Sequence, residues 1–575
     1  MNSSQSYIGI DLGTSNSAVA LATKNQGIKT IDIDQWVGSS EKLSCSTLPS
    51  AILITSDGAL KVGAHAREQS VDQPSNTILS AKSWLCLDSI DRQKPILPWQ
   101  STSEHKLSPL QATKEILTAL MEGSLDKITW ETTPIVLTVP ASFDEVARKL
   151  TQKAAYESGL TSLTLLEEPL AALYSWLSKN QSNWRDELAV GDLVFVCDVG
   201  GGTTDFSLVS ITENQGELAL ERIAVGPHLL LGGDNMDLTL AHYLSEEQSE
   251  KGEELDEWQF QSLIHAVRQA KEHLLNSEDQ DYQISVASRS SDIFASAISF
   301  TIRKDWLLET LVCGFFPKAT IDDIPDESNS VIADFGLPYA NDPVISRHIV
   351  KFLRDAAGSN HDLSSYQQGE NKVLSPSHIL FNGGTMQPKE FQEAILATIN
   401  QFSEEPVKVL NNDNLNLAVA HGAAYYSELK ASGEGVKILA ATSHSYYLEI
   451  QSSRMPIPGK KPEKNAVCLV PVGTEQGQTL VLKDRTFALK TGEKVQFKFY
   501  ESGSRTKDTL GTVVKRPELT LDSQFPVQTT IESEEKGALV PVSLKAHVSE
   551  VGTLDLSLTS LDESSTWNLA LDIES

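Results

Sequence analysis

Cysteine is scarce in this chain: Cys45, Cys86, Cys197, Cys313 and Cys468 are five in 575 residues, odd in number and never spaced as CxxC. That pattern argues against a disulfide framework or a thiolate metal site and points to reduced thiols. Nowhere do about 18 apolar residues run together, so no membrane-spanning helix is expected. The opening MNSSQSYIGIDLG has no basic stretch followed by an apolar one, and a cytoplasmic location is the expectation. Basic side chains are outnumbered, 47 against 77 acidic, for a net charge of −30. Such a surface repels phosphate backbones and anionic membranes, which argues against both as partners. Part of the acidic excess lies in SEEQSEKGEELDEW, residues 245–258, which reads as a solvated face or as a site for a basic partner. No GxxxxGK[ST] occurs and no GxGxxG opens a helix, so neither a P-loop nor a Rossmann site is predicted.

What is present is enough chain for two or more domains, because single cores stop growing at roughly 250 to 300 residues. From about residue 7 to 426, short β-branched runs alternate with helical patterns, as in α/β architecture. PIVLTVP (134–140) reads as a buried strand, with Ser142 and Glu145 as a capping box for a helix ending near Gly159. LTLLEEP leads into a helix with Pro169 in its first turn. In DEWQFQSLIHAVRQAKEHLLNS, Trp258, Leu263, Ile264, Val267 and Leu274 fall near helical spacing, predicting a long amphipathic helix. Beyond residue 426, KVQFKFY, TLVLKD and LDLSLTSL alternate at period two between turn-rich clusters, predicting an antiparallel β domain. The expected boundaries are 1–430 for the first domain, 431–441 for a linker and 442–575 for the β-rich domain, with no further helical segment before Ser575.

The most informative feature is a repeat. YIGIDLGTSNSAVAL and VFVCDVGGGTTDFSLV each combine an apolar strand, an Asp, a Gly-rich turn with Thr, and a second strand. Glycines let a backbone turn tightly and bring N–H groups against an anion, and an Asp at a strand end can hold hydrated Mg²⁺. One such turn is equally a tight hairpin; two matching copies would clamp a nucleotide's phosphates from both sides. ILFNGGTMQP (379–388) follows a strand and precedes a helix, either as a plain tight turn or as backbone passing a base or ribose. NLAVAHGAAYY places Ala418, Ala420, Gly422 and Ala423 as close helix packing requires.

Taken in order, IDLGTSNS, NTILSAK, VLTVPASFDEVARKLTQKAA, LEEPLAALY, DVGGGTTDFS, LGGDNMD, FNGGTMQP and AVAHGAA resemble the heat-shock-70 (DnaK-like) chaperone family. The resemblance implies an α/β actin-like ATPase domain, a duplicated ribonuclease-H-like fold, followed by an all-β substrate-binding-like domain. It implies ATP, ADP and Mg²⁺ as ligands. Gly13, Thr14 and Ser15 would form the first phosphate loop; Gly200, Gly201, Gly202 and Thr203 the second; Gly383 and Gly384 would lie beside the adenosine. Asp11 and Asp198 would organise Mg²⁺ through waters, Lys82 would contact phosphate, and Glu168 and Asp205 would orient water. Lys271 matches the adenine-facing helix, and Pro140 and Arg148 match residues that couple the two domains. Extended client segments, a J-domain protein and a nucleotide-exchange factor are the implied partners.

The sequence departs from the family's pattern in places. Arg268 replaces the usual glutamate, GGTMQP lacks the base-stacking arginine, and Lys437 interrupts the apolar linker, where an alanine stands for the second aspartate. The helical lid is not expected. These departures leave two readings: a slow ATPase that binds client peptides, and a nucleotide-regulated adaptor, with weak or no ATPase activity, for one dedicated protein partner.

Overall fold

The structure is a computed structural model. It describes residues 5–571 except 25, 39–40, 88, 100, 182, 215–216, 228, 288–296, 327–336, 338, 359–362, 368–372, 434–437, 441, 443, 452–463, 475–476, 483–484, 491–493, 504, 506, 522, 531–538, 550–553 and 562–564. Lys437 and most of the run before Ile438 therefore lie outside the described residues.

Two sheets with one plan organise the first three quarters of the chain. In the first, β1 (Ser6–Leu12), β2 (Asn16–Thr23) and β3 (Gly27–Ile31) form an antiparallel meander. On its other side β4 (Ile135–Val139) and β5 (Leu163–Glu167) add in parallel. In the second, β6 (Leu193–Val199), β7 (Thr204–Asn214) and β8 (Glu217–Val225) meander in the same way. There β9 (His378–Asn382) and β10 (Lys408–Leu410) add in parallel. A short strand, β11 (Ile438–Ala440), extends the far edge by pairing parallel with β8.

The apolar runs behave as strands buried on both faces. Leu193, Phe195, Cys197 and Val199 of β6 enter one core, and Val194 and Val196 enter another. That second core is shared by α3 (Glu168–Lys179) and α6 (Ala418–Ser432), which pack on each other. The small-residue pattern predicted for α6 is explained here, since a Cβ on Gly422 would collide with the Ala171 carbonyl oxygen.

The helix after β4 is α2 (Glu145–Ser158), ending at Gly159 with φ 105° as expected. Its predicted capping box is corrected. Asp144, not Ser142, is the N-cap, and its Oδ1 accepts from the Ala147 N–H at 2.6 Å. Ser142 lies before the helix and donates instead to Asp205 at 2.5 Å, so a tertiary partner outbids the local one. The long helix predicted near residue 258 is α5 (Glu257–Asn276), with Leu263, Val267 and Leu274 buried and Trp258 and Ile264 at the margin. The acidic run is mostly exposed across the end of α4 (Gly233–Glu250) and the start of α5.

From Ser445 onward most of the described residues are strand, in one ten-stranded sheet. The expectation of no further helical segment is corrected by one short helix, Pro517–Thr520, a single turn opened by a proline at its first position. Leu448, Val467, Phe499, Leu544, Leu556 and Leu558 fill its core, and Val146 of α2 packs against it. The Leu554 N–H also donates to Glu145 Oε1 at 3.3 Å, so the β-rich part sits directly on the first turn of α2. Ala431 and Ser432, expected in the linker, are the last residues of α6. Among the described residues no helix is long and apolar enough to cross a membrane.

Candidate functional site

An open cleft runs between the two sheets, and the repeated turns face each other across its floor. In the second turn the Gly200 N–H donates to the Thr203 carbonyl at 2.9 Å, closing a tight loop at the end of β6. The approach of the two turns needs glycine: a Cβ on Gly201 would collide with the Ser15 hydroxyl, and one on Gly202 would press on Thr14 and Ser83. The N-terminus of α4 rests on the same loop, with the Gly233 and Asp234 N–H groups donating to the Gly200 and Gly201 carbonyls at 3.1 and 2.7 Å.

Asp11 and Asp198 line this floor with Lys82 and Glu168. Lys82 is presented by a short helix, α1 (Ala81–Leu85), and its Nζ is paired with Glu168 Oε1; both side chains are largely buried. Ser80, just before that helix, has a left-handed backbone at φ 55°, a strained conformation of the kind that collects at functional sites. Its hydroxyl donates to Asp234 at 2.5 Å, which ties the lysine's helix to α4 on the opposite wall. Asp198 Oδ2 accepts from Asn382 Nδ2 at 2.8 Å.

The electrostatics follow from crowding acids in a desolvated space. Burial and then the Glu168 carboxylate push Asp11 up to about 7. Burial, again reinforced by Glu168, raises Asp198 well above the ordinary carboxylate range, and Asp205 across the β6–β7 hairpin adds to it. Lys82 loses hydration on burial, yet Glu168 and Asp11 outweigh this and hold it above the ordinary lysine range. The floor therefore holds more carboxyl groups than one lysine balances, and a divalent cation there would favour their charged forms. Among the described residues no three His, Cys, Asp or Glu side chains gather closely enough to hold a bare metal ion. Carboxylates reaching Mg²⁺ through its water shell fit this donor set.

Farther along the cleft, Lys271 donates to the Gly233 carbonyl at 2.8 Å and pairs with Asp237 at 2.6 Å. Arg268 pairs with Asp237 at 2.7 Å and Asp234 at 2.5 Å. Gly383 turns at φ 85°, where a Cβ would collide with the Val199 carbonyl, and Thr385 donates to the Gly200 carbonyl at 2.9 Å. Leu275, Pro388, Leu415 and Val419 supply apolar wall there.

Of the residues selected from sequence, Asp11, Gly13, Thr14, Ser15, Lys82, Glu168, Asp198, Gly200, Gly201, Thr203, Lys271, Gly383 and Gly384 all line this one cleft. Gly202 and Asp205 stand behind it, and Pro140 and Arg148 lie outside it. Arg148 is buried, donating to the Ala141 and Phe143 carbonyls at 3.1 and 3.2 Å and to Glu167 at 2.9 Å. Sequence reasoning did not single out Ser80, Asp234, Asp237, Asn382 or Thr385. Asp234 and Asp237 stand in LGGDNMD, and Asn382 precedes the Gly pair, so their motifs were visible although their roles were not.

A family model described as Hsp70 protein matches residues 7–318, more than half of the chain. The match spans both turns, Lys82, Glu168 and Lys271, whereas the Gly383–Gly384 turn and the β-rich part lie beyond it.

Proposed function

The chain belongs to the Hsp70 family, and from that premise we propose that it hydrolyses ATP slowly in this cleft and uses the cycle to bind and release extended client segments. Members of the family are generally ATP-binding chaperones. For this chain the reading rests on one observation above the others: two matching Gly-rich turns, each following an Asp-bearing strand, meet across one buried, acid-rich floor. That arrangement suits a polyphosphate with its counter-ion and little else.

In the proposed mechanism the N–H groups of residues 13–15 and 201–203 hold the phosphates, the Gly200 N–H being used to close the second turn, and Lys82 neutralises charge on the phosphoryl oxygens. Glu168 orients the attacking water, and its pairing with Lys82 fixes both groups in the same place. Bound Mg²⁺, reached through water from Asp11 and Asp198, would supply further charge neutralisation. Phosphoryl transfer is catalysed mainly by positioning and electrostatics, so no covalent nucleophile is needed. Asp205, held by Ser142, backs the second turn from the strand that pairs with the one bearing Asp198.

Residues 1–430 would form the actin-like ATPase unit, built as a ribonuclease-H-like duplication; the shared plan of the two sheets supports this. Residues 431–441 would link it to a client-binding unit at 442–575, with α6 reaching two residues into that span and β11 lying on β8 at its far end. Client segments would be held by strand-like contacts, and J-domain and nucleotide-exchange partners would tune the cycle. A steady-state ATPase assay tests the catalytic part. The parent should turn over Mg·ATP, and Lys82→Ala and Glu168→Gln should each lose roughly 100-fold; equal rates in all three would sink the assignment.

A further inference from the structure

The two ends of the cleft are built differently. At the floor, Lys82, Glu168 and Asp198 are buried beside the turns. At the far end the charged side chains are already engaged with one another. The buried Lys271 is committed to the Gly233 carbonyl and Asp237, and Arg268 is divided between Asp234 and Asp237. Glu272 pairs with Arg67, which also donates to Asn16 Oδ1 at 3.3 Å. What remains at the Gly384 turn is two side-chain amides, those of Gln387 and Asn416, and among the described residues no hydrogen bond fixes either of them. Gln387 is half-buried, and Asn416 and Gly384 are exposed. The buried Asn382 Oδ1, which has no hydrogen-bond partner, belongs to the floor: Asn382 lies in register with Asp198, and its Nδ2 donates to that residue.

From this geometry we propose that the cleft selects a Mg-bound purine nucleoside triphosphate without distinguishing adenine from guanine, so that GTP is a substrate alongside ATP. This rests on the ATPase reading above and names the substrate class of the same site. A protein tells similar ligands apart by burying polar groups that the right one satisfies and the wrong one leaves unpaired, which gives roughly 10⁴-fold rejection. Among the described residues at the far end, the buried polar side chains already have partners and the unpaired ones are not buried. An amide, moreover, offers its oxygen or its NH₂ to a base edge after a half-turn. It therefore answers adenine, with an amino donor beside a ring acceptor, and guanine, with a carbonyl acceptor beside a ring N–H, equally well. The apolar wall of Leu275, Pro388 and Leu415 touches the faces of either purine alike. The reaction itself is the same for both: water bonds to the γ-phosphorus as the bond to the β–γ bridging oxygen breaks, giving a nucleoside diphosphate, inorganic phosphate and a proton released to solvent. The base takes no part in it.

The test titrates Mg·ATP and Mg·GTP separately into the full chain and follows the turnover of each. Affinities and kcat/KM values within about tenfold of one another are expected, the range left to a site without buried base-reading groups, with GTP competing against ATP for one site. A larger preference for ATP would overturn the proposal while leaving the ATPase reading intact. Lys82→Ala should remove hydrolysis of both nucleotides together, and GTP turnover that survives it would refute the shared site. Asn416→Asp supplies the discrimination that the parent lacks. Its carboxylate accepts from the N1–H and the 2-amino group of guanine together but meets one donor on adenine, so the GTP-over-ATP affinity ratio should rise about tenfold. An unchanged ratio in that variant would refute the placement of the base beside Asn416. If the parent hydrolyses neither nucleotide, the ATPase reading fails, and the titrations decide the base question separately: similar affinities for the two support the proposal, and binding of Mg·ATP alone, or of neither, refutes it.

Discussion

Arg268 stands in the wall of the cleft between two buried carboxylates, Asp234 and Asp237, and its guanidinium is largely buried with them. From the sequence it reads only as an arginine where the family has a glutamate. Its partners stand 34 and 31 residues away, and no local pattern links them. With the partners known, it shares with Lys271 the balancing of that wall's acids, and Asp234 pairs with it directly. Removing one member of such a group leaves charge buried without compensation. Arg268→Ala should therefore destabilise the protein by about 3 kcal/mol in urea unfolding. A change within about 0.5 kcal/mol, typical of surface sites, would contradict this account of the residue.

At the scale of elements, the strand–turn–strand repeats were legible because strand burial, Gly-rich turns and a terminal Asp are all written locally. The Gly159 stop of α2 and the amphipathic α5 were legible for the same reason. The start of α2 was not. SFDE offers both a Ser-x-x-Glu capping box and an Asp cap two residues later, and choosing between them requires knowing that Ser142 is drawn away by Asp205 and that Arg92 holds Asp144. Asp144 caps the helix and also receives both Arg92 nitrogens, at 2.9 and 2.7 Å. Asp144→Ala should cost about 2 kcal/mol in thermal unfolding, and Asp144→Asn, which keeps a capping oxygen, distinctly less. Equal losses in the two variants would show that the cap contributes nothing. The buried bond from the Ile438 N–H of β11 to the Tyr174 hydroxyl oxygen of α3, 2.9 Å long, was likewise hidden, since the two residues are 264 apart.

At the scale of the whole molecule, the contact between α2 and the β-rich part contains a carboxyl group that resists ionisation. Burial pushes Glu145 up to about 7, against Lys149, Arg148 and the Leu554 N–H, which favour its charge, while Glu501 adds to the rise. Lys149 lies 3.8 Å away, and the buried Tyr446 faces the same cluster. Released into water, Glu145 would return toward its ordinary value of 4.5, so the docked arrangement binds the extra proton. Its contribution to docking is then fully present below about 4.5 and lost as pH rises through about 7. Scattering at pH 5.5 and pH 8 should give a larger radius of gyration at the higher pH in the parent, with Glu145→Gln the same at both. A pH response that survives Glu145→Gln would place the switch elsewhere.

The central claim is that the two turns form one nucleotide site. Its most direct test is calorimetric titration of Mg·ATP into the full chain, into Gly13→Val and into Gly202→Val, which alter the two turns separately. A Cβ at Gly13 collides with the Asn16 carbonyl within its own turn, and one at Gly202 presses on Thr14 across the gap. The account predicts a single saturable heat for the parent and its loss in both variants. Absence of heat in the parent, or undiminished heat in both variants, would contradict it.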